Sequence, residues 1–436
     1  MRIRDSLHND HLPDTYYRFS CNDLDPFSRL EGSTRTQVCI VGGGFSGVAT
    51  AVELAERGFS VALVEQNNIG WGASGRSGGQ ILSGSTNFSN YETIFGLENA
   101  TSAWRMNTEG AQIIKERVAK YSLDCDLRWG GIEFARTASE DARLQAKVAS
   151  LKLHDEIDGL EYIDRSEIGK YVVSDRIVSG LFRKDWGRCH PLNLVRGEAR
   201  TAESLGVKVY EDARVNKISF GETVVVDTGH GKIIADNVVL AGNAYLGKLV
   251  PNITRRFIAV GTYLMATEPL EVNEAKALFP RDLAIRGLGD APLYFHLTPD
   301  NRLLFGALNS HSGKHPKNLV KVLTHKLHSL FPTLTGVKCE KAWGGFIGVG
   351  EKSIPQIGQL ADNVFFAQAY GGCGVSDTHL AGRLIAEAID GDYNRFNILG
   401  GLEHSNYERE GFLRRSMQAI GRAASVFNTG ALRHRG

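Results

Sequence analysis

No stretch of the 436 residues stays apolar long enough to cross a membrane as a helix, and the first 37 are polar and charged, without a signal-peptide core. A charge of one sign is missing as well: the formal net charge is +1, so no global field draws the chain to nucleic acid. Cysteine is sparse, with six residues at 21, 39, 125, 189, 339 and 373. They show neither metal-ligand spacing nor a disulfide framework, so no metal is expected. Cys39 falls inside an apolar run and reads as a small buried hydrophobe. These absences predict a cytoplasmic globular protein with neither a nucleic-acid partner nor a membrane span. Its length suffices for two domains with separate cores.

Glycine, by contrast, is plentiful at 49 residues, and its most informative cluster lies near the start. Val38-Cys39-Ile40-Val41-Gly42-Gly43-Gly44-Phe45-Ser46-Gly47 reads as strand, glycine turn and helix, and Val61 to Val64 as the next strand, ending at Glu65 and Gln66. Gly42 permits the tight turn, Gly44 lets the backbone approach a pyrophosphate, and Gly47 lets the helix pack on the strand. The helix start at Phe45 and Ser46 offers open N–H groups to phosphates. Glu65 stands where a carboxylate accepts both hydroxyls of an adenosine ribose. The pattern predicts dinucleotide binding.

Further along, helices are expected over about 91–121, 139–156, 191–202 and 378–389, with strands at 127–134, 207–210, 223–227, 233–240 and 363–369. Pro191 suits the first turn of its helix, and His190 before it reads as structural. The run ending in Ala241 and Gly242 reads as a buried parallel strand closing on a ligand. A hairpin is expected around Thr298-Pro299-Asp300-Asn301. The fold class is therefore α/β, a Rossmann-like domain with an inserted, strand-rich α+β substrate domain. Residues 36–90, 186–250 and 340–395 are expected to build the first, and 91–185 and 251–339 the second. Residues 1–35 form an N-terminal extension and 396–436 a tail. The basic stretch 412–424 reads as a helix packed on the protein, the alternative being contact with a lipid surface.

Four blocks resemble one family: the glycine turn at 42–47, Gly72-Ala73-Ser74-Gly75-Arg76-Ser77-Gly78-Gly79-Gln80, Gly187-Arg188-Cys189-His190-Pro191, and Ala369-Tyr370-Gly371-Gly372-Cys373-Gly374-Val375. Together they are similar to the D-amino-acid-oxidase-like FAD oxidoreductases, nearest the gamma-glutamylputrescine oxidoreductase group. The resemblance implies non-covalent FAD. It also implies that Gly72, Ala73, Ser74, Arg76, Ser77, Gly78, Gly79 and Gln80 pass beside the flavin, that the Val215 backbone brackets the adenine, and that Gly371 to Val375 turn near the flavin. It implies a small-molecule amine substrate, gamma-glutamylputrescine or a related polyamine conjugate, oxidised at its C–N bond to an imine that hydrolyses to an aldehyde, with molecular oxygen as acceptor giving hydrogen peroxide. The chain departs from the family in carrying Cys373 where many relatives have histidine, and in lacking lysine in Arg302-Leu303-Leu304-Phe305.

Tyr263, His296, Trp343 and Tyr370 are the candidates for the substrate pocket, because aromatic faces hold an alkylamine and exclude water. Core packing is the alternative for each. A small amino-acid substrate such as sarcosine, glycine or a D-amino acid would instead call for an arginine clamp on its carboxylate, with Arg256, Arg286 and Arg302 available. A third reading is a non-catalytic flavoprotein.

Overall fold

The computed structural model describes residues 12–84, 88–154, 159–289, 293–310, 316–352 and 354–404. The basic stretch 412–424 and the rest of the tail beyond 404 lie outside the described residues. Two sheets organise the chain. The first is parallel through Ser28–Arg29, Lys208–Glu211, Val61–Val64, Gly32–Val41, Gly231–Leu240 and Val364–Gln368, in that spatial order. Gly231–Leu240 is long enough to serve two neighbours on one side. Its second half pairs with Val364–Gln368 and its first half, antiparallel, with Val224–Asp227. The interior strands are apolar without alternation, as expected of a parallel sheet covered on both faces.

Helix Phe45–Glu56 crosses between the parallel strands Gly32–Val41 and Val61–Val64. A side chain at Gly47 would begin 1.9 Å from the Gly42 carbonyl oxygen, so only glycine lets helix and strand approach this closely. Helix Gly374–Ile389 lies against it at Gly382, where a Cβ would meet the Thr50 nitrogen at 2.8 Å. Behind these helices Arg117 joins Glu53 (2.9 Å) to Glu198 (3.0 Å), and Glu198 also meets His379 Nε2 at 3.0 Å. Buried charges here are paired, which is the condition for their tolerance.

The second sheet is mixed and runs Cys339–Val349, Ile258–Pro269, Arg302–Ser310, Tyr294–Leu297, Ala284–Gly287, Arg128–Ala135, Ser179–Arg188 and Gln80–Ile81. One face packs on helices Val272–Leu278 and Leu319–Leu330 through Phe279, Phe295, Phe305 and Phe331. The ring centroids of Phe295 and Phe331 are 5.3 Å apart. The opposite face looks toward the glycine turn of the first sheet and forms one wall of the cavity described below.

Residues 28–29 and 32–35, expected in the N-terminal extension, pair in the first sheet, and Gln80–Ile81 with Gly187–Arg188, expected in the dinucleotide-binding domain, pair in the second. Two further boundaries differ from the sequence expectation beside the site. Cys339–Val349 was expected, from residue 340, with the dinucleotide-binding segments. It hydrogen-bonds instead along Ile258–Pro269 in the second sheet, in continuous register over nine residue pairs from Ile258–Val349 to Ala266–Lys341. Helix Gly374–Ile389 starts at Gly374 rather than Thr378, which makes Cys373 its N-cap residue. The chain reaches it through a left-handed turn, with Ala369, Gly371 and Gly372 at φ +60°, +62° and +111°. Asn243 Oδ1 accepts the Ala369 N–H at 3.1 Å and holds that turn against the first sheet.

Candidate active site

A cavity of about 780 Å³ runs from the C-terminal edge of the parallel sheet to the inner face of the second sheet. At one end lie Glu65, Gln66 and Val215; the glycine turn follows with Gly42, Gly44, Phe45 and Ser46, beside Ala241 and Gly242. Ligands of open parallel sheets bind at this edge. Of the N–H groups that a helix leaves open at its start, that of Phe45 is taken by Ser74 Oγ at 2.9 Å. The rest of that helix start borders the cavity with its positive dipole end. Gly47 alone among the expected cofactor residues does not border the cavity; it packs helix on strand.

The Glu65 carboxylate accepts the N–H groups of Gly43 (2.7 Å) and Asn67 (3.0 Å), which fix it at the strand end. Burial pushes this carboxyl above its usual range, and the nearby Glu211 carboxylate adds to the shift while the two N–H groups oppose it.

The loop from Gly72 to Gln80 crosses between the sheets, and Gly72, Ala73, Ser74, Arg76, Ser77, Gly78, Gly79 and Gln80 all border the cavity. Arg76 is 7% exposed. Its Nε donates to the Trp71 carbonyl at 2.8 Å, and its guanidinium lies over the Trp71 ring at 4.3 Å. Nη2 has no hydrogen-bond partner among the described residues, and burial lowers the guanidinium's proton affinity. A buried cation with an open donor in a cavity wall calls for an acceptor or an anion. Across the cavity stand Tyr370, Gly371, Gly372, Cys373, Gly374 and Val375. The Tyr370 and Ser46 hydroxyls are 2.6 Å apart, tying the last glycine turn to the first helix.

The second-sheet wall corrects the aromatic assignments. Tyr370 borders the cavity, whereas Tyr263, His296 and Trp343 do not. Tyr263 is fully buried in the phenylalanine-rich core, because Val260 and Thr262 of the same strand take the cavity side. His296 lies on the same strand face as Tyr294 but beyond the cavity, and burial, with the nearby Arg188 charge, holds it neutral, well below the usual histidine range. Trp343 sits behind the cofactor loop, with Nε1 donating to the Arg76 carbonyl at 3.0 Å. The aromatic residue that does form the wall is Tyr294, which was not anticipated. Its ring fills the space left by Gly78 and Gly306, where added Cβ atoms would approach it to 2.6 and 2.1 Å. Thr262 and Asn309, paired across adjacent strands, border the cavity with it.

Of the three arginines considered, only Arg286 reaches this wall. Arg302 is engaged by Asp300 and Glu340, and Arg256 lies against Phe366. Arg286 Nε is 3.5 Å from Glu133, whose other oxygen meets Lys147 at 2.7 Å. His190 acts structurally, as expected: Nδ1 accepts the Asn193 N–H at 3.0 Å as an N-cap, and burial lowers its pKa to about 4.

Asp377, in the first turn of helix Gly374–Ile389, is buried, and this pushes its carboxyl well above the ordinary aspartate range. The folded chain thus keeps a proton here that the unfolded chain loses, and this group's contribution to the stability of the apo-protein falls as pH rises above about 4. Asp377→Asn is expected to remove that contribution, so that the variant gains stability relative to the wild type as pH rises and melts a few degrees higher at neutral pH. Thermal melts of both apo-proteins from about pH 4 to 8 check this, and parallel profiles would refute it.

A parallel sheet with a glycine turn, an acidic residue at the next strand end and a second sheet closing the cavity define a dinucleotide-binding oxidoreductase. The comparisons narrow the class. The FAD dependent oxidoreductase (DAO) family model matches residues 37–388, and the chain belongs to that family. It is an FAD-dependent oxidoreductase, and the glycine turn, Glu65 and the open Arg76 donor fit that cofactor. The chain is 37% identical to the gamma-glutamylputrescine oxidoreductase of Escherichia coli strain K12 over 411 residues, 94% of this chain and 96% of that one. It is 34% identical to a probable oxidoreductase, OrdL, of Haemophilus influenzae, covering 89% and 91%. Among solved structures, glycine oxidase from Geobacillus kaustophilus superposes with a TM-score of 0.69 at 21% identity, over 83% of this chain and 98% of that one.

Proposed function

We propose that this enzyme oxidises the C–N bond of an amine that also carries a carboxylate, with gamma-glutamylputrescine as the best candidate. The observation that carries the reading is Arg286 on the second-sheet wall of a cavity whose other end is the dinucleotide turn. A guanidinium there suits a carboxylate remote from the reacting carbon, and the faces of Tyr294 and Tyr370 suit an alkyl chain. The relative of E. coli named for that substrate shares nearly the full length.

FAD, when bound, would supply the two-electron acceptor that the C–N oxidation needs. The protein's part is placement. Arg286 would hold the carboxylate, the aromatic wall would exclude water, and Arg76 would offset negative charge on the cofactor. In balance, the primary amine, O₂ and water give an aldehyde, ammonia and hydrogen peroxide. Cofactor contacts are assigned to the cavity-lining residues named above, with non-covalent attachment, so acid precipitation should release the FAD into solution.

A small amino acid such as sarcosine or glycine is the second reading, since Arg286 could clamp its carboxylate directly. Anaerobic mixing with gamma-glutamylputrescine, putrescine, sarcosine, glycine and D-alanine separates the two. The fastest flavin bleaching is expected with the gamma-glutamylated amine, accelerating as pH rises and its ammonium deprotonates. Bleaching by the amino acids alone would overturn the substrate, and bleaching without reoxidation in air would change the acceptor.

A further inference from the structure

Residues 12–31 precede the part of the chain matched by the family model, and nothing in the catalytic scheme uses them. They are nevertheless fastened to both halves of the molecule. On the second-sheet side, Asp14 meets Lys341 Nζ at 3.0 Å and the Tyr16 hydroxyl donates to Asp300 at 2.7 Å. On the first-sheet side, helix Pro191–Ser204 holds the segment through Arg196. Its Nε and Nη2 donate to the carbonyls of Asp23 and Asp25, each at 2.6 Å.

Between these anchors Thr15 caps the short helix Tyr16–Phe19, and Tyr17 turns inward until it is 1% exposed. Its ring meets Trp343 edge-on, with centroids 5.6 Å apart, and His190 likewise at 5.0 Å. Those two residues adjoin the middle and the C-terminal end of the cofactor loop. Trp343 Nε1 donates to the carbonyl of Arg76 at 3.0 Å. His190 follows Cys189, whose N–H donates to the Gly79 carbonyl at 2.9 Å. The Cys189 carbonyl in turn lies 2.1 Å from where a Gly79 side chain would begin, so the backbones are in close contact.

We propose that the N-terminal segment is a strap that sets the position of the cofactor loop 72–80, and that Tyr17 is its positioning residue, acting through Trp343 and His190. The inference rests on the FAD site and not on the choice of substrate. The ring carries the effect, because the Tyr17 hydroxyl is buried without a hydrogen-bond partner among the described residues. Phenylalanine keeps the edge-on contacts and discards a polar group that is costly to bury unpaired. Alanine leaves a void behind the loop.

The test compares Tyr17→Phe, Tyr17→Leu, Tyr17→Ala and the surface control Lys321→Ala, on exposed helix surface away from the strap and the cavity, each reconstituted with FAD. The FAD dissociation constant, the visible flavin spectrum and the apo-protein melting temperature are measured for each. Tyr17→Ala is expected to weaken FAD binding about tenfold or more and to shift the flavin band. Tyr17→Leu should lie between it and wild type, while Tyr17→Phe and Lys321→Ala match wild type. If the alanine variant does not fold, the leucine variant decides. Wild-type affinity and an unshifted spectrum in the most disruptive variant that folds would overturn the proposal, as would equal losses in Tyr17→Phe. Since no amine is used, failure here is distinct from failure of the substrate assignment.

Discussion

Gly44→Val is expected to fold and to purify without its yellow colour, retaining less than about a tenth of the wild-type FAD. The glycine has φ −87° and ψ −176°, a conformation open to any residue, so its backbone does not require glycine. A Cβ there would meet only Ser74 Oγ closely, at 2.9 Å. The valine side chain would stand in the cavity at the helix start, where the pyrophosphate must reach the backbone. Flavin absorbance per chain, beside circular dichroism of the apo-protein, measures both halves of the expectation. A folded variant with about one FAD per chain would remove this turn from the cofactor site.

Arg286→Met is expected to raise KM for gamma-glutamylputrescine about a hundredfold, equivalent to about 2.7 kcal/mol, while oxidation of free putrescine changes little. The substitution leaves Glu133 with its 2.7 Å partner Lys147, so the buried carboxylate is not stranded and the wall should survive. Flavin reduction rates against concentration for the two amines give the comparison. Equal losses for both would show that Arg286 supports the wall rather than a carboxylate, and no change for either would remove it from the site.

Much of the cofactor end was legible because its information is local. The turn from Gly42 to Gly47 joins consecutive elements, and glycine spacing there reports backbone requirements that the fold then displays. The loop from Gly72 to Gln80 was equally readable, since a run of glycine and serine marks a chain passing where side chains would collide. The strand Cys339–Val349 was harder. Its partner Ile258–Pro269 lies some eighty residues earlier, and no local signal says which sheet a strand will join.

What the sequence determined by itself was the parallel βαβ unit, the dinucleotide site and the resemblance that named FAD, all carried by short spans whose geometry is set by neighbouring residues. Only the tertiary structure decided which aromatic side chains reach the cavity. Strand alternation puts Thr262 and Tyr263 on opposite faces, but both faces of the second sheet are covered, one by helices and the other by the cavity. Apolar and aromatic residues are therefore favourable on both, and the pattern holds no inward or outward label. Packing Leu319–Leu330 and Val272–Leu278 against one face sent Tyr263 into the core and left Tyr294 and Arg286 to form the wall.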